Sequence, residues 1–406
     1  MKTTTGVSLG SMMFLQYFIW GAWYVSMGTY MGTHFVAEDL DKQIGGAYSA
    51  LALATIISPF FVGLIADRYF AAQRMMGVLH LLGAALLFFA TKIDHVGPFY
   101  WVILAYSLAY MPTIALSNNI AFTQMSDPGK QFPWIRVFGT LGWIVAGFLI
   151  GGLALEASNA IFLIAAAASA ALGLFSFALP NTPPKAKGEV ASFAKTLGVD
   201  AFVLFKSKSY LIFFIAAILV CIPLSFYYGF ANPFLNEVGL DKPAQKMILG
   251  QFSEAIFIVA IPFLFNRIGV KKMLLLGMAA WVLRYVAFAY GDAGSNTWLL
   301  YAGIILHGIC YDFFFVTGYM YTEKKAGEKI KNAAQGLFTF ATYGLGMLIG
   351  TWFSGVIVAR YKTSVDPAPA AHDWTSIWYV PAGIAVAVLI YFFLFFREKK
   401  EIAQAV

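Results

Sequence analysis

Long apolar stretches alternate with short polar ones along the whole chain, near residues 9–33, 44–66, 75–91, 99–123, 134–155, 159–179, 209–235, 247–266, 270–290, 297–321, 333–359 and 374–396. Each has about the length of a helix that crosses bilayer hydrocarbon, roughly 20 residues. The longest polar interval divides them six and six. The expected organisation is therefore a first bundle over 1–179, a linker over 180–208, a second bundle over 209–397 and a tail over 398–406. The linker opens with Pro180, Pro183 and Pro184, which stop a helix, followed by Lys185 and Lys187. Val190, Phe193, Leu197, Ala201 and Leu204 then recur at near-helical spacing. That pattern predicts either a short helix lying on the membrane surface or a plain tether between the halves.

Composition removes the soluble alternative. The 406 residues are 60% hydrophobic and only 12% charged, with a mean hydropathy of +0.74. A soluble domain carries about 25% charged residues, so too little polar surface remains to face water. The first apolar run lacks a small-residue cleavage site and reads as a retained span. Cys221 and Cys310 both fall in apolar stretches and are expected to be buried free thiols. His34, His80, His95 and His372 are scattered, and neither a metal nor a cofactor is expected.

The net charge of +7 follows topology rather than a nucleic-acid face. With the N-terminus inside, the inner connections hold 19 Lys and Arg and the outer ones 6, leaving Arg136 and Arg284 within spans. Both termini are then expected to be cytoplasmic in a multi-pass inner-membrane protein.

A charge at the bilayer centre costs about 2.5–3.5 kcal/mol on insertion scales, so the charged residues inside spans draw the functional reading. Glu254 follows Gln251 by three positions and shares its helix face, offering an anionic acceptor beside an amide that donates and accepts. Asp312 lies among aromatics that desolvate it. It is read either as a proton-coupling carboxyl group or as the partner of a buried arginine, Arg136 or Arg284. Arg136, Thr140 and Trp143 stand at i, i+4, i+7, placing cation, hydroxyl and ring on one stripe, although Arg136 is close enough to the inner boundary to snorkel. Gln16, Trp20 and Trp23 repeat that spacing in the first span and Ser225, Tyr228 and Asn232 in the seventh, facing either a solute or the packing between helices. His307 is read as either a packing histidine or a proton partner. Pro59, Pro112, Pro223 and Pro262 interrupt spans, and Gly344, Gly346 and Gly350 thin one face of the eleventh, as in cavity-lining or closely packed helices.

Two six-helix halves joined by a basic linker resemble the major facilitator superfamily. Gly63-Leu-Ile-Ala-Asp67-Arg68 resembles that superfamily's loop signature, and Asn266-Arg267-Ile-Gly269 is a weaker relative in the second half. Asp67 and Arg68 are expected to cap helix ends and latch the inner side. More specifically, six collinear segments resemble the bacterial nucleoside:proton symporters. They are Phe14-Leu-Gln16-Tyr-Phe-Ile-Trp20-Gly21-Ala-Trp23, Ala109-Tyr-Met-Pro112-Thr113, Arg136-Val-Phe-Gly139-Thr140-Leu-Gly142, Gln251-Phe-Ser-Glu254, Ala280-Trp-Val-Leu-Arg284 and Tyr311-Asp312-Phe-Phe. The resemblance implies an all-α membrane fold of twelve transmembrane helices and nucleoside uptake driven by protons. It places Arg136, Thr140, Trp143, Gln251, Glu254 and Tyr311 at solute-binding positions, with Tyr228 and Ser225 where the family carries polar amides. Asp312 matches the proton-linked carboxylate, which Glu254 could assist. His307 stands where the family has a tyrosine.

The expected function is proton-coupled nucleoside transport by a monomer that needs the lipid bilayer and binds no nucleic acid. An uncoupled facilitator of another polar solute, such as a sugar, and a non-transporting nutrient sensor are the alternatives. No phosphate-binding glycine loop, His-Glu-x-x-His or Gly-x-Ser-x-Gly motif points to an enzyme.

Overall fold

The computed structural model describes residues 3–61, 69–184, 199–363 and 371–397. Asp67 and Arg68, most of the linker and the C-terminal tail lie outside the described residues. The first seven helices are α1 (Thr3–Trp23), α2 (Met27–His34), α3 (Leu40–Phe61), α4 (Ala72–Ala90), α5 (Val96–Thr123), α6 (Pro128–Gly152) and α7 (Ala160–Ser176). A 3₁₀ segment, Val199–Lys206, leads to α8 (Lys208–Glu237) and α9 (Pro243–Tyr290). Then come α10 (Thr297–Ile305), α11 (His307–Tyr311), a π-helical turn (Asp312–Val316), α12 (Thr317–Thr339), a second π-helical stretch (Phe340–Gly346), α13 (Met347–Arg360) and α14 (Trp374–Phe395).

Two of these helices hide a reversal of direction. Gly269 in α9 and Gly327 in α12 have φ of 78° and 64°. Only glycine holds that left-handed conformation without a Cβ penalty, so each marks a tight connection between successive spans. With those two turns counted, the helices of the described residues form twelve rods, and nine segments are long and apolar enough to cross a membrane. The expected span positions agree with the rods to within several residues. The first starts earlier, at Thr3, and breaks between α1 and α2.

Helices α1–α7 pack among themselves, as do α8–α14, with α1 along α6 and α9 along α14 as leading pairs. Lys185, Lys187, Val190, Phe193 and Leu197 of the expected surface helix lie outside the described residues. Val199–Lys206 packs on α12 and α8, with Ala201 and Leu204 buried.

The bundles meet where α3 crosses α13, α6 crosses α9 and α2 crosses α8. Small residues make these crossings backbone-tight. A Cβ on Gly45 would fall 2.3 Å from the Thr351 carbonyl oxygen, one on Gly151 2.2 Å from the Gln245 nitrogen, and one on Gly28 2.6 Å from the Gly229 oxygen. All three contacts gather at the end where α2, α6 and α8 finish, so the bundles are sealed there.

Candidate functional site

A cavity of about 430 Å³ lies between the bundles, within the range of about 300–1,000 Å³ typical of small-molecule sites. α1 contributes Tyr17 and Trp20, the break after it Tyr24, α3 contributes Tyr48 and Thr55, and α6 contributes Arg136, Thr140 and Trp143. From the other bundle come Tyr228 of α8, Gln251 and Glu254 of α9, His307 and Tyr311 of α11, and Tyr343 of the second π-helical stretch. The i, i+3/i+4 spacing on each helix turns these side chains to one face.

The aromatic walls are held by ring-to-ring contacts. Trp20 meets Trp143 at 5.6 Å between ring centroids, and Tyr24 meets Tyr228 across the bundles at 5.4 Å. Tyr48 donates its hydroxyl to the Tyr24 carbonyl at 2.7 Å and accepts from the Gly28 nitrogen at 3.1 Å, tying the cavity wall to the sealed end. The Tyr311 and Tyr343 hydroxyls are hydrogen-bonded to each other.

The two cavity charges face each other from opposite bundles. Arg136 stacks its guanidinium 4.0 Å from the Tyr17 ring centroid and makes no ion pair among the described residues. Glu254 has a side chain 27% exposed, with the His307 ring 3.9 Å away. A separated cation and anion leave hydrogen-bonding capacity for a polar solute lying between them.

Of the solute positions expected from sequence, Arg136, Thr140, Trp143, Gln251, Glu254, Tyr311 and Tyr228 line this cavity. Ser225 does not. Its hydroxyl donates to the Ile222 carbonyl at 2.6 Å, and it packs against Gly350 on α13, inside the second bundle. Asp312 is fully buried behind Tyr311, with neither carboxylate oxygen partnered and no arginine paired to it among the described residues. Gln16, Trp23 and Asn232, whose stripes fit either a solute or helix packing, do not line the cavity. Gln16 joins a buried network in which it donates to Thr113 at 2.8 Å and meets the His80 ring at 2.9 Å, and Trp23 packs in the core. Tyr17, Tyr24, Tyr48 and Tyr343 were missed. The only signal for the first two was the Tyr17-Trp20-Tyr24 stripe, one register away from the one read.

Asn232 instead belongs to the sealed end. Its side-chain oxygen accepts from Thr29 of the first bundle at 2.6 Å. Glu156, in the connection between α6 and α7, reaches into the second bundle. It accepts from Asn232 and Asn236, each at 2.8 Å, and from the Ala244 nitrogen in the first turn of α9 at 2.8 Å. A carboxylate at a helix N-terminus also meets the positive end of the helix dipole.

A second clasp closes the same end outside the spans. The His372 ring contacts Glu237 of its own bundle at 2.7 Å and Asp41 of the other at 3.3 Å. Burial lowers the proton affinity of His372, but the bonds and charges of Asp41 and Glu237 outweigh it and raise its pKa to about 9. An ordinary histidine titrates near 6.5. The clasp is therefore complete below about 6.5 and is lost as pH rises through about 9. A thiol at Ser26→Cys, buried at this end, should become more reactive to an impermeant reagent over that interval. In the His372→Gln background the extra reactivity should be present at every pH. A wild-type profile superimposable on that variant would remove the clasp.

The description Nucleoside H+ symporter belongs to a family model that matches residues 1–401. The putative nucleoside transporter YegT of Escherichia coli (strain K12) is 41% identical over 100% of this chain and 96% of its own length. Xanthosine permease of the same organism is 38% identical over 96% of this chain and 95% of its own length. The crystal structure of nucleoside transporter NupG shares 33% identity and a TM-score of 0.88, covering 98% of this chain and 100% of that one. With the family model spanning both bundles and the fold matching a solved transporter throughout, this chain belongs to the nucleoside H+ symporter family.

Proposed function

We propose that this protein carries nucleosides inward across the cytoplasmic membrane together with protons, by alternating access. The observation that supports this most is the cavity between the bundles. It joins flat aromatic faces suited to a base with Arg136 and Thr140 on one wall and Gln251 and Glu254 on the other. Trp143 or Tyr311 would stack the base, an arrangement worth about 0.5–1.5 kcal/mol beyond simple burial, and the polar groups would fix the sugar. The bundles 1–179 and 209–397 then rock about the solute as two bodies within one monomer, joined by 180–208.

Sidedness follows from charge. The excess of Lys and Arg puts both termini in the cytoplasm, so the sealed end faces outward and this conformation opens inward. Asp312 is the proton carrier in this scheme, with Glu254 as its companion in the cavity. Among the described residues neither Asp312 oxygen has a hydrogen-bond partner, so a proton can join or leave this carboxyl group without breaking a bond.

Uptake of labelled uridine, adenosine and a sugar into proteoliposomes, with and without an imposed pH gradient, tests the reading. Both nucleosides should accumulate with the gradient and the sugar should not. Glu254→Gln should lower nucleoside uptake at least about tenfold, since one charge-assisted hydrogen bond is worth about 1.5–3 kcal/mol. Uptake indifferent to the gradient would mean an uncoupled facilitator, and binding without flux a sensor.

A further inference from the structure

Arg284 is fully buried in α9 and does not line the cavity. Among the described residues it has no carboxylate in ion-pair range, so charge neutralisation does not explain it. Its guanidinium lies 3.4 Å from the Tyr227 ring centroid, and one terminal nitrogen is 3.0 Å from His307 Nδ1. His307 in turn lines the cavity, with its Nε2 3.9 Å from Glu254 Oε2. The three side chains form a row from the bundle interior to the solute space.

The chemistry of the row fixes its polarity. A guanidinium has five N–H donors and no acceptor, so in the bond to His307 it must donate. His307 Nδ1 must then accept with its lone pair. In the neutral ring the single proton resides on Nε2, and a second proton on Nδ1 would point at the arginine. The cavity face of His307 is therefore a donor. Tyr227, which lies under the guanidinium and stacks on the His307 ring with centroids 5.1 Å apart, and Tyr311, 5.6 Å from that ring, keep the imidazole in this orientation.

We infer that Arg284 fixes the tautomer of His307, and that the resulting His307–Glu254 pair recognises a hydroxyl group of the solute. This rests on the nucleoside reading above. The 3.9 Å between Nε2 and Oε2 is too long for a direct hydrogen bond. An oxygen beside both groups spans it with two bonds of about 2.8 Å. That oxygen must accept from Nε2–H and donate to the carboxylate. A carbonyl has nothing to give Glu254, and an ammonium has nothing to offer the imidazole N–H. A hydroxyl does both, and a nucleoside carries hydroxyls on its sugar. Arg284 is thus a positioning residue that acts through His307.

The direct readout is the tautomer itself. In ¹⁵N-histidine-labelled protein reconstituted in lipid, the signals lost in His307→Phe identify His307. In the wild type its Nδ1 should be bare and its Nε2 protonated; a proton on Nδ1 would overturn the inference without recourse to any Arg284 variant. The functional arm uses uridine and its three monodeoxy analogues (2′, 3′ and 5′) as competitors. In the wild type, removing the recognised hydroxyl should weaken binding about tenfold, as expected for a lost hydrogen bond that strands buried partners. Arg284→Met should weaken uridine by about the same factor while changing that one analogue less than about twofold. His307→Phe should do likewise and stands in if the arginine variant does not fold. Equal weakening of uridine and every analogue would reduce Arg284 to a scaffold residue and sink the proposal. If the wild type binds no nucleoside, the proposed function fails, while the tautomer spectrum still decides the role of Arg284.

Discussion

The Asp312→Asn variant is expected to exchange nucleoside across the membrane but no longer to accumulate it. Asparagine preserves the volume and shape of the side chain, so the packing among Phe313, Phe314 and Phe315 survives. What it removes is the ability to take up and release a proton. Asp312 opens a π-helical turn, a form concentrated at functional sites because it redirects side chains within a helix. Among the described residues it has no hydrogen-bond partner to lose, so a purely structural role gives the substitution little to act on. One pH unit of gradient is worth about 1.4 kcal/mol, or about tenfold accumulation per coupled proton. In proteoliposomes the wild type should approach that ratio and Asp312→Asn should stop near equal concentrations. Counterflow of labelled against unlabelled uridine should fall by less than about threefold. Gradient-driven accumulation at the wild-type level would take Asp312 out of the coupling role.

Gly45→Leu should abolish net transport while leaving solute binding intact. At the α3–α13 crossing, even the Cβ of alanine would stand 2.3 Å from the Thr351 carbonyl oxygen and 2.9 Å from the Gly355 Cα. Those atoms are backbone and cannot swing aside as a side chain would. Gly355 is equally constrained from its side, since its own Cβ would lie 2.7 Å from the Asp41 carbonyl. Overpacking ordinarily costs about 1–3 kcal/mol, and here the strain is relieved by parting two bundles rather than by unfolding either. The sealed end is held open, so the cavity stays accessible but the cycle stops. Transport should drop at least about a hundredfold, more than enough to follow from a closed state disfavoured by about 3 kcal/mol. Binding of uridine should change only a few-fold, and Ser26→Cys should react with an impermeant thiol reagent in the Gly45→Leu background. A thiol still protected there would mean that the crossing tolerates the side chain.

Much of the architecture was legible because a bilayer leaves the chain few choices. Backbone polar groups without water must be satisfied within helices, so apolar length alone predicted where the rods run. The cost of burying charge then singles out Arg136, Glu254, Asp312 and Arg284 from the sequence alone. Asp67 and Arg68, expected to form an inner latch, lie outside the described residues.

What the helical period could not resolve is which face of a fully enclosed helix meets the cavity. Along α1 nearly every face touches protein, so the stripe Gln16, Trp20 and Trp23 looked as good as Tyr17, Trp20 and Tyr24. In the structure Gln16 holds His80 and Thr113 together inside the first bundle, while the tyrosines face the solute space. Ser225 fell on the wrong side of α8 for the same reason. Glu156 was invisible as a site because it stands at the edge of a span, where a carboxylate needs no special explanation. Only the approach of α8 and α9 from the other half supplies its three donors. Sequence thus set the helices and the inventory of buried charge, because solvent imposes both locally. Pairings across the bundles, from the His307 tautomer to the clasps at the sealed end, join residues far apart in the chain, and the packing of the two halves alone decided them.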